Sequence, residues 1–140
     1  MGLLIDSNIF IDLERSKADL SDYIKGRDDE EIFISIISAS ELLHGVHRAN
    51  TARIRAKRLA FVEAILRSLP ILDLDLAIAR SHAQLWSDLE SQGLMIGVHD
   101  SWLAASCIAH DLTLITGNLR EFNRVPGLTV ENWGNNRETR

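Results

Sequence analysis

Four acids stand where the local pattern of the chain changes. Asp6 follows the apolar run Leu3–Ile5, Glu41 comes shortly after the β-branched run that begins at Ile32, Asp100 stands at the head of an apolar-periodic stretch, and Glu121 lies a few residues beyond Leu112–Ile115. Each acid has a purely structural reading. Asp6 suits a helix N-cap, Glu41 completes the capping box Ser38-x-x-Glu41, Asp100 is a first-turn acid favoured by a helix dipole, and Glu121 suits a surface. If all four meet in one crevice, their mutual repulsion is costly unless bound protons or a divalent cation offset it. Carboxylates with hydroxyl and amide neighbours match a hard cation, Mg2+ or Mn2+, which prefers oxygen ligands and keeps several waters.

The elements that would position these acids follow from periodicity. Leu3–Ile5 is too short for a helix, and its uniform apolarity suits a strand covered on both faces, hence a parallel sheet. Ser7–Glu14 reads as a helix, Leu20–Ile24 as a shorter one ending near Gly26, and Ile32–Ile37 as a second strand closed by Ser38, where a helix containing Leu42, Leu43 and Val46 begins. Gly45 inside that helix implies close packing or a bend, since an interior glycine costs about 1 kcal/mol relative to alanine. From Thr51 to Leu69 the apolar positions Leu59, Val62, Leu66 and Leu69 have helical spacing. Ile71–Leu74 reads as a third strand, Asp75 as the cap of a helix burying Ala79, Ala83, Trp86 and Leu89 and ending at Gly93, and Asp100 as the opening of a helix that Asp111 ends. Leu112–Ile115 is the fourth strand, followed by a helical turn with Glu121 and Phe122, a Pro126-Gly127 turn and an edge strand over Leu128–Val130. Strands alternating with helices predict an α/β sandwich with a central, mostly parallel sheet. In such sheets the ligand crevice lies beyond the carboxyl ends of the strands, where Asp6 stands.

With 140 residues the chain suits one domain over 1–134 and a polar tail over 135–140. No apolar stretch reaches the ~20 residues of a membrane span and no basic segment precedes an apolar one at the N-terminus, so a cytoplasmic protein without membrane association is expected. The lone Cys107 excludes an internal disulfide framework. The net charge of -5 argues against a uniformly basic nucleic-acid binder, but charge is unevenly spread. Asp28–Glu31 reads as a solvated acidic turn, whereas Leu42–Ser68 holds Arg48, Arg53, Arg55, Lys57, Arg58 and Arg67 against Glu63 alone. Arg53, Arg55 and Arg58 are the candidates from this stretch to follow a nucleic-acid phosphate backbone, and the stretch reads equally as a helix face kept soluble by arginines.

Leu4-Ile5-Asp6-Ser7-Asn8, Ile34-Ser35 leading through Ser38 to Glu41-Leu42-Leu43-His44-Gly45, Asp100 with Leu103-Ala104-Ala105, and Leu114-Ile115-Thr116-Gly117-Asn118-Leu119-Arg120-Glu121-Phe122 form an ordered set. Together with Val125–Leu128 and Trp133, the set resembles the PIN domains, and among them the VapC-type toxins of type II toxin-antitoxin systems. The resemblance covers nearly the whole chain. It implies a Rossmann-like PIN fold and a Mg2+- or Mn2+-dependent endoribonuclease whose acidic site corresponds to Asp6, Glu41, Asp100 and Glu121. Asp6 and Asp100 would hold the principal cation, Glu41 and Glu121 would place waters or a second cation, and Ser7, Asn8, Thr116 and Asn118 would support them. The chain departs from many relatives in having Ser7 for threonine and Asn118 where some carry an aspartate. The resemblance further implies an RNA substrate, a VapB-like antitoxin that places an arginine or lysine in the acidic pocket, and a homodimer, with the first helices and the Thr51–Leu69 helix as candidate interfaces.

Two other classes are open to the same residues. A phosphatase of the haloacid-dehalogenase type needs a second acid two residues after Asp6, where this chain has Asn8, and a phosphorylatable receiver needs a lysine near the last strand, whereas no lysine follows Lys57. A PIN-like module that binds RNA or protein without cutting is the alternative of another class, and it is disfavoured by a candidate acid at every position the chemistry requires. His44, His47, His82, His99 and His110 lack the softer partners of a transition-metal site, and His99 reads as a neighbour of Asp100 rather than a ligand.

Overall fold

The computed structural model describes residues 2–27 and 29–133; Met1, Asp28 and the tail 135–140 fall outside the described residues, as does Gly134. The chain runs β1 (Gly2–Ile5), α1 (Ser7–Ser16), α2 (Ser21–Ile24), β2 (Glu31–Ser35), α3 (Ile36–His47), α4 (Ala52–Ser68), β3 (Ile71–Leu72), α5 (Leu76–Gln92), α6 (Val98–His110), β4 (Leu112–Ile115), α7 (Leu119–Phe122) and β5 (Val130–Glu131). The strands form one sheet in the order β3-β2-β1-β4-β5, every pairing parallel. The chain lays β2 and β3 on one side of β1, then returns to place β4 and β5 on the other. The direction of winding therefore reverses between β1 and β4, and a crevice opens at their carboxyl ends.

β1 is buried along its whole length, as its uniform apolarity requires. Leu3 and Ile5 enter the core with Phe10, Leu13, Leu42, Val46 and Val62 from α1, α3 and α4. Leu4 faces the opposite way, into a core with Leu85, Leu89, Leu103, Leu114 and Phe122. The two-residue period of a strand thus distributes one apolar run between two helical layers.

Several boundaries differ from the sequence reading for reasons visible in the packing. β2 ends at Ser35, and Ile36 and Ile37 belong to α3 rather than to the strand. The neighbouring β3 pairs only with Ile34 and Ser35, so a longer β2 would have no ladder partner on that side. Ser35, not Ser38, caps α3: its Oγ accepts the Ile37 N–H at 3.0 Å. Ser38 is fully buried inside α3, and its hydroxyl has no hydrogen-bond partner. Glu41 is consequently not the far half of a capping box. β3 stops at Leu72, and β5 occupies Val130–Glu131 rather than Leu128–Val130. α6 starts at Val98 behind Gly97, which leaves Asp100 in its first turn rather than at its opening.

On α4 Val62 is buried, Leu66 and Leu69 pack partly against the core, and Leu59 faces solvent. On α5 the buried positions are Ile78, His82, Leu85 and Leu89, so the face is rotated from the expected one and Trp86 is left 52% exposed. His82 enters the core because α6 provides for its polarity. Ser101 Oγ–H donates to the Val98 carbonyl at 2.6 Å, leaving a lone pair for the His82 Nε2–H at 2.9 Å, and the imidazole stacks on Trp102 with centroids 3.6 Å apart. Asp75, Gly93 and Asp111 do terminate their helices as expected: Asp75 Oδ1 accepts the Ile78 N–H, and Gly93 and Asp111 adopt left-handed φ of 66° and 55°. No helix among the described residues is long and apolar enough to cross a membrane.

The two serines give opposite expectations. Ser35→Ala removes a cap and should lower the unfolding free energy by about 1 kcal/mol, whereas Ser38→Ala removes a buried orphan hydroxyl and should be neutral or stabilising by about 1 kcal/mol. Urea denaturation of both variants checks the assignment, and a larger loss at Ser38 than at Ser35 would contradict it.

Candidate active site

Asp6 combines the two roles that its sequence position left open. It is 3% exposed, follows β1 directly, and caps α1 through Oδ1, which accepts the Ser7 N–H at 2.7 Å. Its Oδ2 faces the other way and accepts the Thr116 hydroxyl at 2.8 Å and Asn8 Nδ2–H at 3.3 Å. Thr116 reaches it because β4 pairs in register with β1, Ile5 opposite Ile115, and the Asp6 N–H extends the ladder to the Ile115 carbonyl at 2.8 Å. Thr116 Oγ1 also accepts the Asn118 N–H at 3.0 Å, and Asn8 Oδ1 accepts the Gly117 N–H at 3.2 Å. The expected supporting residues Asn8, Thr116 and Asn118 thus form one polar seam across the β1 and β4 ends.

The other acids are held by groups from elements distant in sequence. Glu41 projects from α3, where Ser7 Oγ–H donates to its Oε1 at 3.1 Å and His99 Nδ1 lies 3.1 Å from its Oε2. Glu121, at the start of α7, receives the Gly97 N–H on Oε1 and Asn118 Nδ2–H on Oε2 at 2.9 Å. Asp100, on α6, hydrogen-bonds the Glu121 carboxyl. Gly97 is tucked beneath this pair: a Cβ there would lie 3.4 Å from Glu121 Oε1 and 3.7 Å from Asp100 Oδ2. All four acids named from sequence therefore come together, with each influencing at least one other electrostatically. Gly97 and His99 are the neighbours that sequence reasoning did not assign, and no periodicity would have placed His99 against Glu41.

Burial sets the protonation of the cluster. Loss of water around Asp6 is the main cause raising its pKa to about 6, with the Glu41 charge adding to it against the Thr116 and Ser7 hydrogen bonds. Asp100 is raised to about 7, first by desolvation, then by its bond to Glu121 and by the charges of Asp6, Glu121 and Glu41. Glu121 is lowered, chiefly by the Gly97 N–H. Within the Asp100–Glu121 pair, Asp100 is thus the carboxyl that holds a proton more readily. Among the described residues no three His, Cys, Asp or Glu side chains enclose an ion by themselves. An all-oxygen donor set that retains protons near neutrality fits a cation bound through one or two carboxylates with water in its remaining positions.

Of the candidate RNA-contacting arginines, two make hydrogen bonds to the backbone. Arg55 Nη2 donates to the Ala49 carbonyl and Arg58 Nη1 to the Gly45 carbonyl, each at 3.0 Å, and Arg58 Nε lies 4.0 Å from Glu14 Oε1. These bonds tie α4 to the end of α3. Arg53 faces solvent.

The family model of the PIN domain matches residues 3–128. The chain belongs to the PIN-domain family, in its VapC branch. It is 38% identical over 130 residues to Ribonuclease VapC1 of Rickettsia felis, which covers 93% of this chain and 95% of that protein. Among solved structures, this PIN domain is similar to VapBC2 of Rickettsia felis bound to a promoter DNA fragment, with a TM-score of 0.83 and 30% identity over 95% of this chain and 99% of that one. The DNA-bound VapBC of Salmonella typhimurium superposes with a TM-score of 0.85 and 28% identity, covering 95% of this chain and 98% of that one. The expected fold class holds: a five-stranded parallel sheet between helical layers. Ser7 keeps the role a threonine hydroxyl would have, since its Oγ–H reaches Glu41.

Carboxyl groups that hold protons more tightly in the folded PIN domain than in the unfolded chain make stability fall as pH rises through their folded pKa values. For Asp6 and Asp100 that decline spans the interval up to about 6 and about 7. Asp100→Asn should therefore raise the melting temperature of the metal-free protein by about 2–4 °C at pH 7.5, with the gain shrinking toward pH 5. Calorimetry across this range checks the sign, and a lower melting temperature for the variant at pH 7.5 would contradict the repulsion described.

Proposed function

We propose that this PIN domain is the ribonuclease toxin of a type II toxin-antitoxin pair, hydrolysing RNA phosphodiester bonds at Asp6, Glu41, Asp100 and Glu121 with Mg2+ or Mn2+. The observation that carries the reading is the convergence of these acids, supplied by four separate parts of the chain, at the carboxyl ends of β1 and β4. Asp6 and Asp100 are the residues that would hold the cation. When bound, it polarises the scissile phosphate, offsets the charge that develops there and makes a coordinated water more acidic. Thr116 and Asn8 fix the Asp6 carboxylate, and Ser7 and His99 orient Glu41 at the rim. Asn118 and the Gly97 N–H hold Glu121, so Glu41 and Glu121 are set to accept hydrogen bonds from the attacking water. Asn118 thus supports Glu121, and the fourth acidic role falls to Glu121 itself.

An antitoxin partner similar to VapB is supported by an apolar cleft of about 400 Å³ between α1, α2 and α4, lined by Phe10, Leu13, Leu20, Ile24, Phe61 and Ile65 among others. A basic side chain from that partner would pair with the acidic cluster and compete with the cation. For the homodimer, the α5–α6 face fits better than the first helices, because Leu76, Trp86 and Val98 are 65%, 52% and 72% exposed there. A cytoplasmic location belongs to the same proposal, since a toxin acting on the cell's own RNA would work there.

Asp6→Asn and Asp100→Asn remove charge with little change of shape. Each should lower Mn2+-dependent RNA cleavage by on the order of 100-fold or more and abolish growth inhibition, with the circular dichroism spectrum retained. Cleavage at the parental rate by either variant is the outcome that sinks the assignment.

A further inference from the structure

Gly45 occupies the interior of α3, where glycine is about 1 kcal/mol worse than alanine. Two intramolecular reasons for a glycine are absent. Its φ is not positive, unlike Gly26, Gly93 and Gly127. A Cβ built on it meets no atom within 4 Å, so the expected close packing does not exist either. Besides a bend in the helix, the use left for the glycine is clearance for something approaching α3 from outside the chain, and the cleft beside it is where such an approach would occur.

Gly45 lines a cleft of about 510 Å³ between α1, α3 and α4, which it shares with Glu41 of the acidic cluster. The same cleft is lined by Arg15, Arg48 and Arg58, with Asn50 between them and Glu14 as the other acid. Arg58 is anchored, its Nη1 on the Gly45 carbonyl and its Nε 4.0 Å from Glu14. Arg15 and Arg48 have no ion-pair partner among the described residues. The neighbouring cleft between α1, α2 and α4 shares Phe61 with this one, yet Asp19 is its only charged lining residue. The two clefts offer different chemistry, one cationic and continuous with the acids, the other apolar.

We infer that the cationic cleft is a binding track for the RNA strand adjoining the cut, its phosphates meeting Arg15 and Arg48 as it passes over Gly45 beside the tethered Arg58. The inference rests on the nuclease reading above and adds where the substrate lies. It replaces Arg53 and Arg55, which stand outside the cleft, with Arg15 and Arg48.

Binding of a fluorescein-labelled, mixed-sequence RNA oligonucleotide to the full chain, with metal removed by a chelator, tests the track separately from cleavage. Gly45→Ala should raise the melting temperature by a few degrees, since it improves the helix and meets no neighbour. Gly45→Met should keep the parental fold and weaken RNA binding at least tenfold, and with Mn2+ present should raise KM with little change in kcat. Arg15→Gln with Arg48→Gln should flatten the slope of log Kd against log salt by about 1.4, at ~0.7 per lost single-strand phosphate contact. Parental RNA affinity in Gly45→Met overturns the track, and a lowered melting temperature in Gly45→Ala overturns the clearance argument. If Gly45→Met instead keeps RNA affinity and loses only its antitoxin partner on co-purification, the cleft belongs to the protein partner and the inference fails. Absence of metal-dependent cleavage by the parental protein would remove the nuclease reading, while the metal-free binding data judge the track by themselves.

Discussion

The interaction on which this structure depends is the hydrogen bond between Thr116 and Asp6, made across the boundary between β1 and β4. A carboxylate at the end of a fully buried strand loses most of its water, and its pKa rises to about 6 as a result. It remains tolerable because its hydrogen-bond demand is met from three directions: the Ser7 N–H at the head of α1, the Thr116 hydroxyl after β4 and the Asn8 amide. Remove the parallel register of β1 and β4 and the hydroxyl is no longer beside the acid. The order in which the chain winds its sheet is therefore also what makes a buried acid possible at this position.

The same atoms have structural and chemical uses. Asp6 Oδ1 caps α1 while Oδ2 belongs to the polar seam. Ser7 begins α1 and holds Glu41 of α3, and Gly97, the residue before α6, donates to Glu121 of α7. Each acid is oriented by a group from another element, so the cluster stays compact despite its repulsion. Desolvation first, and the neighbouring charges after it, raise the proton affinity of Asp6 and Asp100.

Around the cluster the surface divides by chemistry, and the start of the division is α4. Its buried Val62 fixes the helix against α1 and α3, while Phe61 stands between a cleft that holds three arginines and a mostly apolar cleft. Arg55 and Arg58 turn back to carbonyls of Ala49 and Gly45, which explains how a strongly basic helix packs beside α3 without an acidic partner for each cation.

Much of this was written in local pattern. The apolar run before Asp6, the caps at Asp75 and Gly93, and the strand before Thr116 specified the alternation of strands and helices, because two-residue and 3.6-residue periodicities are properties of a few neighbouring side chains. Asp6 was legible for the same reason, standing at the end of β1, whereas Glu41 lies inside α3 and Asp100 and Glu121 lie in the first turns of α6 and α7. What only the tertiary structure decided was everything that depends on a partner far away in the chain. Ser35 rather than Ser38 caps α3 because β3 is too short to extend β2. His82 rather than Trp86 is buried because Ser101 Oγ accepts a hydrogen bond from its Nε2–H and Trp102 stacks on its ring. Arg58 is a tether and not a free cation because the Gly45 carbonyl lies within reach, and His99 meets Glu41 because α6 and α3 flank the same strand ends. Sequence fixes which groups a residue can offer; burial and hydrogen-bond demand, set by contacts across the sheet, decide which of those offers are taken up.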